Sequence, residues 1–204
     1  MTVESVIALM AASILIKVAP GPGVLATIGH AMARGFRRTL AFVAGVMCGD
    51  LVYILAVLLG LAAIAREFHD VFFAIRLLGG AYLIWLGISM FRASISVHTS
   101  EAPVERGHGA AYRSGLLVTL GNPKVMLFYG GLLPTFIDIE ALRSVEMMIL
   151  TVLLIADFGC ILAAYAYSAD RARRAIRTSA VARWFNRVSG TVLIGSGTAL
   201  ISKS

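Results

Sequence analysis

Long apolar runs constrain this chain more than any other feature. Five of them, at residues 5–33, 39–65, 71–91, 114–137 and 147–168, extend over 20 residues or more. A shorter uncharged run occupies 188–202 and reaches spanning length only by starting near Trp184 and taking in Arg187. The hydrocarbon core of a bilayer is about 30 Å thick, and a helix of roughly 20 apolar residues crosses it. The runs do not alternate apolar with polar residues, which excludes membrane strands. Apolar residues make up 59% of the chain and charged ones 14%. A water-soluble globule could not bury so much apolar surface, and a disordered chain would not contain it. The expected fold is an all-α polytopic membrane protein with six transmembrane helices. The first run lacks a basic leader and a small-residue cleavage site, so it reads as a retained span.

Most charges lie between the runs, and they set an orientation. The net charge is +7. In a soluble chain that would suggest nucleic acid. Here no basic stripe stands apart from the apolar runs, so the anionic lipid surface is the expected partner and nucleic acid is not. Twelve arginines fall in the odd-numbered connections, against four basic residues on the other side. Basic connections stay in the cytoplasm, which places both termini outside. Cys48 and Cys160 lie inside apolar runs and make no disulfide framework. His30, His69, His98 and His108 show no metal-ligand spacing, so neither a metal nor a cofactor is expected.

The chain also repeats itself. Residues 1–92 hold a Pro/Gly-broken run, a run with a central Asp and a Gly-rich run after Arg76, and residues 113–204 hold the same order, with Arg187 leading the last run. Residues 93–112 form a polar linker between these halves. Pro22 to Asp50 spans 28 positions and Pro123 to Asp157 spans 34. Three spans per half is an odd number, so the second half enters the membrane from the opposite side. Such a 3+3 inverted repeat, with broken helices 1 and 4, is an architecture of secondary transporters, whose sites lie at the midplane.

Besides Arg76 at the edge of the third run, four charges fall inside the runs. Lys17 and Lys124 each stand beside a helix break, and Asp50 and Asp157 each lie near the middle of the following run. A charge at mid-membrane costs about 3 kcal/mol or more, so these groups must face a cavity or one another. At Pro20-Gly21-Pro22-Gly23 the helix must stop, with a new N-terminus near Val24. Asn122-Pro123 reads as an N-cap followed by proline at the first helical position, giving a second half-helix N-terminus at Pro123-Lys124. Two such ends in one cavity suit a carboxylate. The expected site therefore binds a substrate carboxylate at the two ends with Lys17 or Lys124. Asp50 and Asp157 face the substrate ammonium or carry a coupling proton.

Several segments then resemble the lysine/homoserine–threonine exporter family of amino-acid efflux proteins. They are Ala19-Pro20-Gly21-Pro22-Gly23, Gly35-Phe36-Arg37, Gly45 through Gly49-Asp50, and Gly79-Gly80-Ala81-Tyr82-Leu83-Ile84-Trp85-Leu86-Gly87. Leu120-Gly121-Asn122-Pro123-Lys124, Leu127-Phe128-Tyr129 and Pro134-Thr135-Phe136 complete the set. The resemblance covers nearly the whole chain. It implies a bacterial inner-membrane exporter of amino acids or close derivatives, driven by inward proton flow and not an enzyme, and it leaves room for a homo-oligomer. Two departures stand near the implied substrate path. Members often have Asn or Asp where this chain has Gly23, and many have Gln where it has Thr135.

Two other readings use the same residues. An intramembrane aspartyl protease would pair Asp50 with Asp157, but Met47-Cys48-Gly49-Asp50 lacks the first Gly of that pattern and Ala156 replaces its Tyr. A thiol–disulfide electron carrier would use Cys48 and Cys160, which occupy equivalent runs but adjoin neither break.

Overall fold

The computed structural model describes residues 1–58, 77, 81, 83–85, 87, 88, 91, 107–139, 141–175 and 179–202. Among these there is helix and no strand. The elements are α1 (Val3–Val18), α2 (Pro22–Arg34), α3 (Phe36–Leu58), α4 (His108–Leu120), α5 (Pro123–Leu127), a π-helical turn (Phe128–Leu132), α6 (Leu133–Phe136), α7 (Ser144–Ala175) and α8 (Ser179–Ser202). The described residues of the third apolar run, between Leu77 and Phe91, are helical. Most of that run, the 93–106 part of the linker, and Arg76 and Gly79 of the repeat lie outside the described residues.

Local chemistry sets the helix ends. Thr2 caps α1 by accepting the Ser5 N–H at 3.2 Å. Ala19 is extended, Gly21 is the N-cap of α2, and Pro22 opens the helix. The new helix thus starts two residues before the expected Val24, because proline's fixed φ and missing N–H suit the first helical position. Gly35 alone joins α2 to α3, at φ 81°, a left-handed value that a side chain would strain. Asn122 caps α5 with its Oδ1, which accepts the Lys124 N–H at 3.0 Å.

Two helices are long and apolar enough to cross a bilayer alone. They are α3, with mean hydropathy 2.2, and residues 144–173 of α7, with 2.4. Two bent pairs each qualify as one broken span: α1 with α2 at 53°, and α4 with the 123–136 segment at 51°. That makes up to four spans among the described residues. The sixth expected span corresponds to α8. It has 24 residues, about 36 Å of helix, but it is not among the helices apolar enough to qualify. Its Ser, Thr and Gly positions and the basic start at Arg183 and Arg187 dilute its apolar character.

Small residues let the helices touch. A Cβ on Gly45 would collide with the Tyr112 carbonyl, and one on Gly115 with the Phe42 carbonyl. The backbones of α3 and α4 are therefore in direct contact, as glycine permits in lipid. Gly87 and Gly190 repeat the arrangement: a Cβ on either would come within 3 Å of the other's carbonyl oxygen. Gly115→Ala should therefore destabilise the fold by about 1–3 kcal/mol through overpacking. Gly195→Ala, which meets nothing within 4 Å, should not. Thermal melting of the two variants in the same detergent checks this, and equal midpoints would refute the close contact.

The core forms two apolar clusters. One gathers Leu9, Tyr53, Ile54, Phe128, Leu150 and Leu154. The other gathers Val24, Phe42, Val46, Val118, Phe158 and Leu162. On α3 the boundary between them falls between Val46 and Tyr53, where Asp50 lies. On α7 it falls between Leu154 and Phe158, where Asp157 lies. The two aspartates thus occupy a polar seam across the middle of the bundle.

Candidate functional site

Lys17 stands in the last turn of α1 and is 6% exposed. Its Nζ donates to Asp157 Oδ1 at 2.7 Å and to the Leu154 carbonyl at 2.8 Å. Asp50 Oδ2 lies 3.8 Å from the same nitrogen. The ammonium also faces the rings of Phe128, Tyr129 and Phe158 at 5.5, 5.8 and 5.2 Å from their centroids. Such faces attract cations more strongly where water is excluded.

The two aspartates are bonded differently. Asp157 accepts from Lys17 on one oxygen and from Ser13 Oγ, at 2.7 Å, on the other. Asp50 accepts from the Tyr129 hydroxyl at 2.6 Å on Oδ2. Its Oδ1 is buried and has no hydrogen-bond partner among the described residues. Two carboxylates therefore share one ammonium, and the oxygen left over belongs to Asp50. An unsatisfied buried acceptor of this kind is expensive, which makes it a marker of a ligand or a proton.

Lys124 does something else. The sequence suggests two equivalent Lys–Asp partnerships, but Lys124 has no ion pair among the described residues. Its Nζ reaches across the bundle to the Ala19 carbonyl at 2.5 Å. It thereby clasps the break between α1 and α2. Gly21 makes room for it, since a Cβ there would lie 3.1 Å from Lys124 Cδ. The lysines differ because Lys17 precedes its break, inside a full helix, whereas Lys124 follows its own on the first turn of α5.

A cavity of about 30 Å³ lies at the seam, lined by Lys17, Gly21, Gly23, Asp50, Asn122 and Lys124 among others. Asp157 stands behind Lys17, outside this lining, and Pro20, Pro22 and Pro123 shape the breaks without lining it. The volume suits about two water molecules and is too small for an amino acid. The two half-helix ends are not equivalent either. The N-cap of α2 is Gly21, which offers no side chain, so the first N–H groups of α2 at Gly23 and Val24 stay open beside the cavity. At α5 the Lys124 N–H is already held by Asn122 Oδ1. Only the first break presents free donors, and the expectation of two open ends is corrected on this point.

Ser13, Tyr129 and Phe158 were not legible as site residues, although each touches the charged cluster. Ser13 had one signal, its position one turn before Lys17 on the same face of α1. For Tyr129 the signal was a hydroxyl in an otherwise apolar stretch. The remaining readings find little geometry. The Lys17 ammonium stands between the two aspartates, and Cys48 and Cys160 are free thiols, half-buried and exposed respectively.

Comparisons with known proteins converge. A family model described as LysE type translocator matches residues 14–204. A membrane protein of Synechocystis, uncharacterized by its own name, is 29% identical over 201 residues, covering 98% of this chain and 97% of its own. The homoserine/homoserine lactone efflux protein of Salmonella typhimurium is 28% identical over 202 residues, covering 99% and 98%. An uncharacterized membrane protein of Vibrio cholerae is 26% identical over 194 residues, covering 95% of each. No solved structure matches. With apolar helices and membrane-protein relatives aligned end to end, this multi-pass membrane chain belongs to the LysE type translocator family.

Proposed function

We propose that the chain is a secondary-active exporter of amino acids or close derivatives that exchanges substrate for protons by alternating access. The observation that carries this reading is the unpartnered Asp50 Oδ1 beside the open N-terminus of α2. A zwitterion fits that pair of features. Its carboxylate meets the free N–H groups and Lys124, and its ammonium meets Asp50. Because two aspartates share Lys17, the empty cluster carries one excess negative charge when both are ionised. Either a substrate ammonium or a proton neutralises it, and the two compete. That competition is the chemical basis of exchange. The small cavity is then a contracted form of the site, and substrate enters when the halves separate.

The proposed topology is six spans in a 3+3 inverted repeat, with repeats at 1–92 and 113–204 around a linker at 93–112. It lies in the bacterial inner membrane with both termini outside. The similar bends of the two broken spans, 53° and 51°, support it.

The test is a resistance screen. Cells overexpressing the chain are exposed to single amino acids, their toxic analogues, homoserine and its lactone. Efflux of each tolerated compound is then measured in everted vesicles with and without a proton gradient. Tolerance of at least one amino acid or derivative is expected, with efflux that stops when the gradient collapses. Tolerance of none would end the exporter reading, and gradient-independent efflux would end the proton coupling.

A further inference from the structure

A second cavity, of about 680 Å³, opens far from the charged seam. It lies where α2 ends, α3 begins and α7 ends. Five arginines line it, Arg34, Arg37, Arg38, Arg171 and Arg173, and the acidic residue among the lining is Asp170. The surplus of guanidinium groups is large for one concavity.

The bland account is that basic residues gather at the cytoplasmic ends of spans. That explains how many there are, but not how they are arranged. Arg37 and Arg38 occupy the first turn of α3, which holds no acidic residue. Positive charge at a helix N-terminus opposes the helix dipole and costs stability unless an anion is present. Gly35, just before α3, has no side chain of its own to cap that helix, and the Asp170 carboxylate packs beside it. Arg37 and Arg38 are exposed, and among the described residues neither has a hydrogen-bond or ion-pair partner.

The opposite wall is built and held. The Arg171 guanidinium stacks over Tyr167 at 5.2 Å and donates to its hydroxyl at 2.8 Å. Arg173 donates to the Ala33 carbonyl at 3.3 Å and stands 3.6 Å from Asp170 Oδ1. Asp170 itself packs on Gly35, where a Cβ would come within 3.1 Å of its Oδ1. Tyr167 meets Phe36 edge to face at 5.9 Å between centroids. Aromatic residues of this kind sit at headgroup level. Fixed arginines on α7 thus face unpaired arginines on α3, across a gap at the membrane boundary.

We propose that this cavity binds the phosphate of an anionic phospholipid headgroup. Guanidinium pairs grip phosphate oxygens bidentately, and Arg37 and Arg38 stand unpaired opposite Arg171 and Arg173. Such a lipid neutralises the surplus and ties the α2–α3 corner to the end of α7. The proposal does not rest on the exporter reading.

The test uses the full chain in detergent, followed by native mass spectrometry. The protein is mixed with equal amounts of phosphatidylglycerol and phosphatidylcholine, and separately with inorganic phosphate. Wild type is expected to retain phosphatidylglycerol at least roughly tenfold over phosphatidylcholine. The Arg37→Gln/Arg38→Gln double variant should lose that preference. Arg143→Gln, a substitution at a residue outside this cavity whose side chain is 85% exposed, should keep it. Equal retention of the two lipids by wild type would overturn the proposal, as would an unchanged preference in the double variant. Stabilisation by inorganic phosphate that depends on Arg37 and Arg38, without phosphatidylglycerol preference, would replace the lipid by a soluble anion and overturn it too. Arg171→Gln is a second variant on a different helix, so a folding failure of the double variant would not leave the question open. It should lower the preference, and retention at the wild-type level would count against the site.

Discussion

Asp50→Asn is expected to cost the chain its proton-driven efflux while leaving its fold intact. The substitution is isosteric, and it leaves Lys17 bonded to Asp157. It replaces the carboxylate, whose Oδ1 is buried without a hydrogen-bond partner among the described residues, with a neutral amide. A hydrogen bond to a charged group contributes about 1.5–3 kcal/mol, so substrate affinity should fall by about 10- to 150-fold. The pH dependence carries the sharper signature. On the proposed exchange, protons and substrate compete for Asp50 in wild type, so acidifying the side on which substrate binds should weaken its binding. In the Asn variant no proton competes, and binding should become flat with pH. Binding and gradient-driven flux of a substrate found by the resistance screen, measured in proteoliposomes between pH 5 and 8, read both effects. Wild-type flux in a folded Asp50→Asn protein would remove Asp50 from the exchange.

Lys17→Met should have the largest effect on stability. Lys17 and its two partners are 6%, 1% and 6% exposed. Removing one member of a buried ion pair typically costs 3–5 kcal/mol, because the remaining charge stays buried and unpaired. Here two carboxylates would be left facing each other across the seam. Accumulation in the membrane should fall sharply, since whole domains are stable by only about 5–15 kcal/mol. Adding Asp157→Asn to Lys17→Met should restore much of the yield by removing one uncompensated charge. Fluorescence-detected size exclusion of fusions compares the four proteins. A Lys17→Met single variant with wild-type yield would mean that the seam is better solvated than its burial indicates.

The parts of this arrangement differ in how plainly the residues announce them. The breaks were legible because proline and glycine act locally: Pro22 at the first position of α2 and Asn122 as the cap of α5 need no tertiary information. The buried charges were legible because a lysine or aspartate in an apolar run has few explanations. Their pairing was not. Matching chemistry in two halves suggested two equivalent partnerships, yet Lys17 holds Asp157 and approaches Asp50, while Lys124 reaches a backbone carbonyl. Which carbonyl or carboxylate a long side chain reaches depends on helix rotation and on the side of the break from which it departs. Ser13 and Tyr129 stayed hidden for the opposite reason. Hydroxyls are ordinary in membrane helices, and only the fold shows that these two meet the aspartates. The π-helical turn at Phe128–Leu132, which follows Pro123 by one short helix and carries Tyr129 toward Asp50, had no sequence signal at all.

Gly35 has a mechanical consequence. A single residue, held at φ 81°, is all that separates the end of α2 from the start of α3. So short a connection has no slack, and a shift at the end of α2 passes directly to the start of α3. The fulcrum then lies at the other end of α2, at residues 19–21, where the chain is extended and the Lys124 clasp and the Tyr165 bond to the Val18 carbonyl hold it. A few degrees of rotation there would travel the length of α2 and reappear, amplified, at the arginine-lined end of the molecule. The same rotation would carry Asp50 past Lys17. Under the proposed alternating access, opening the seam and moving the arginine-lined end would then be one motion, not two.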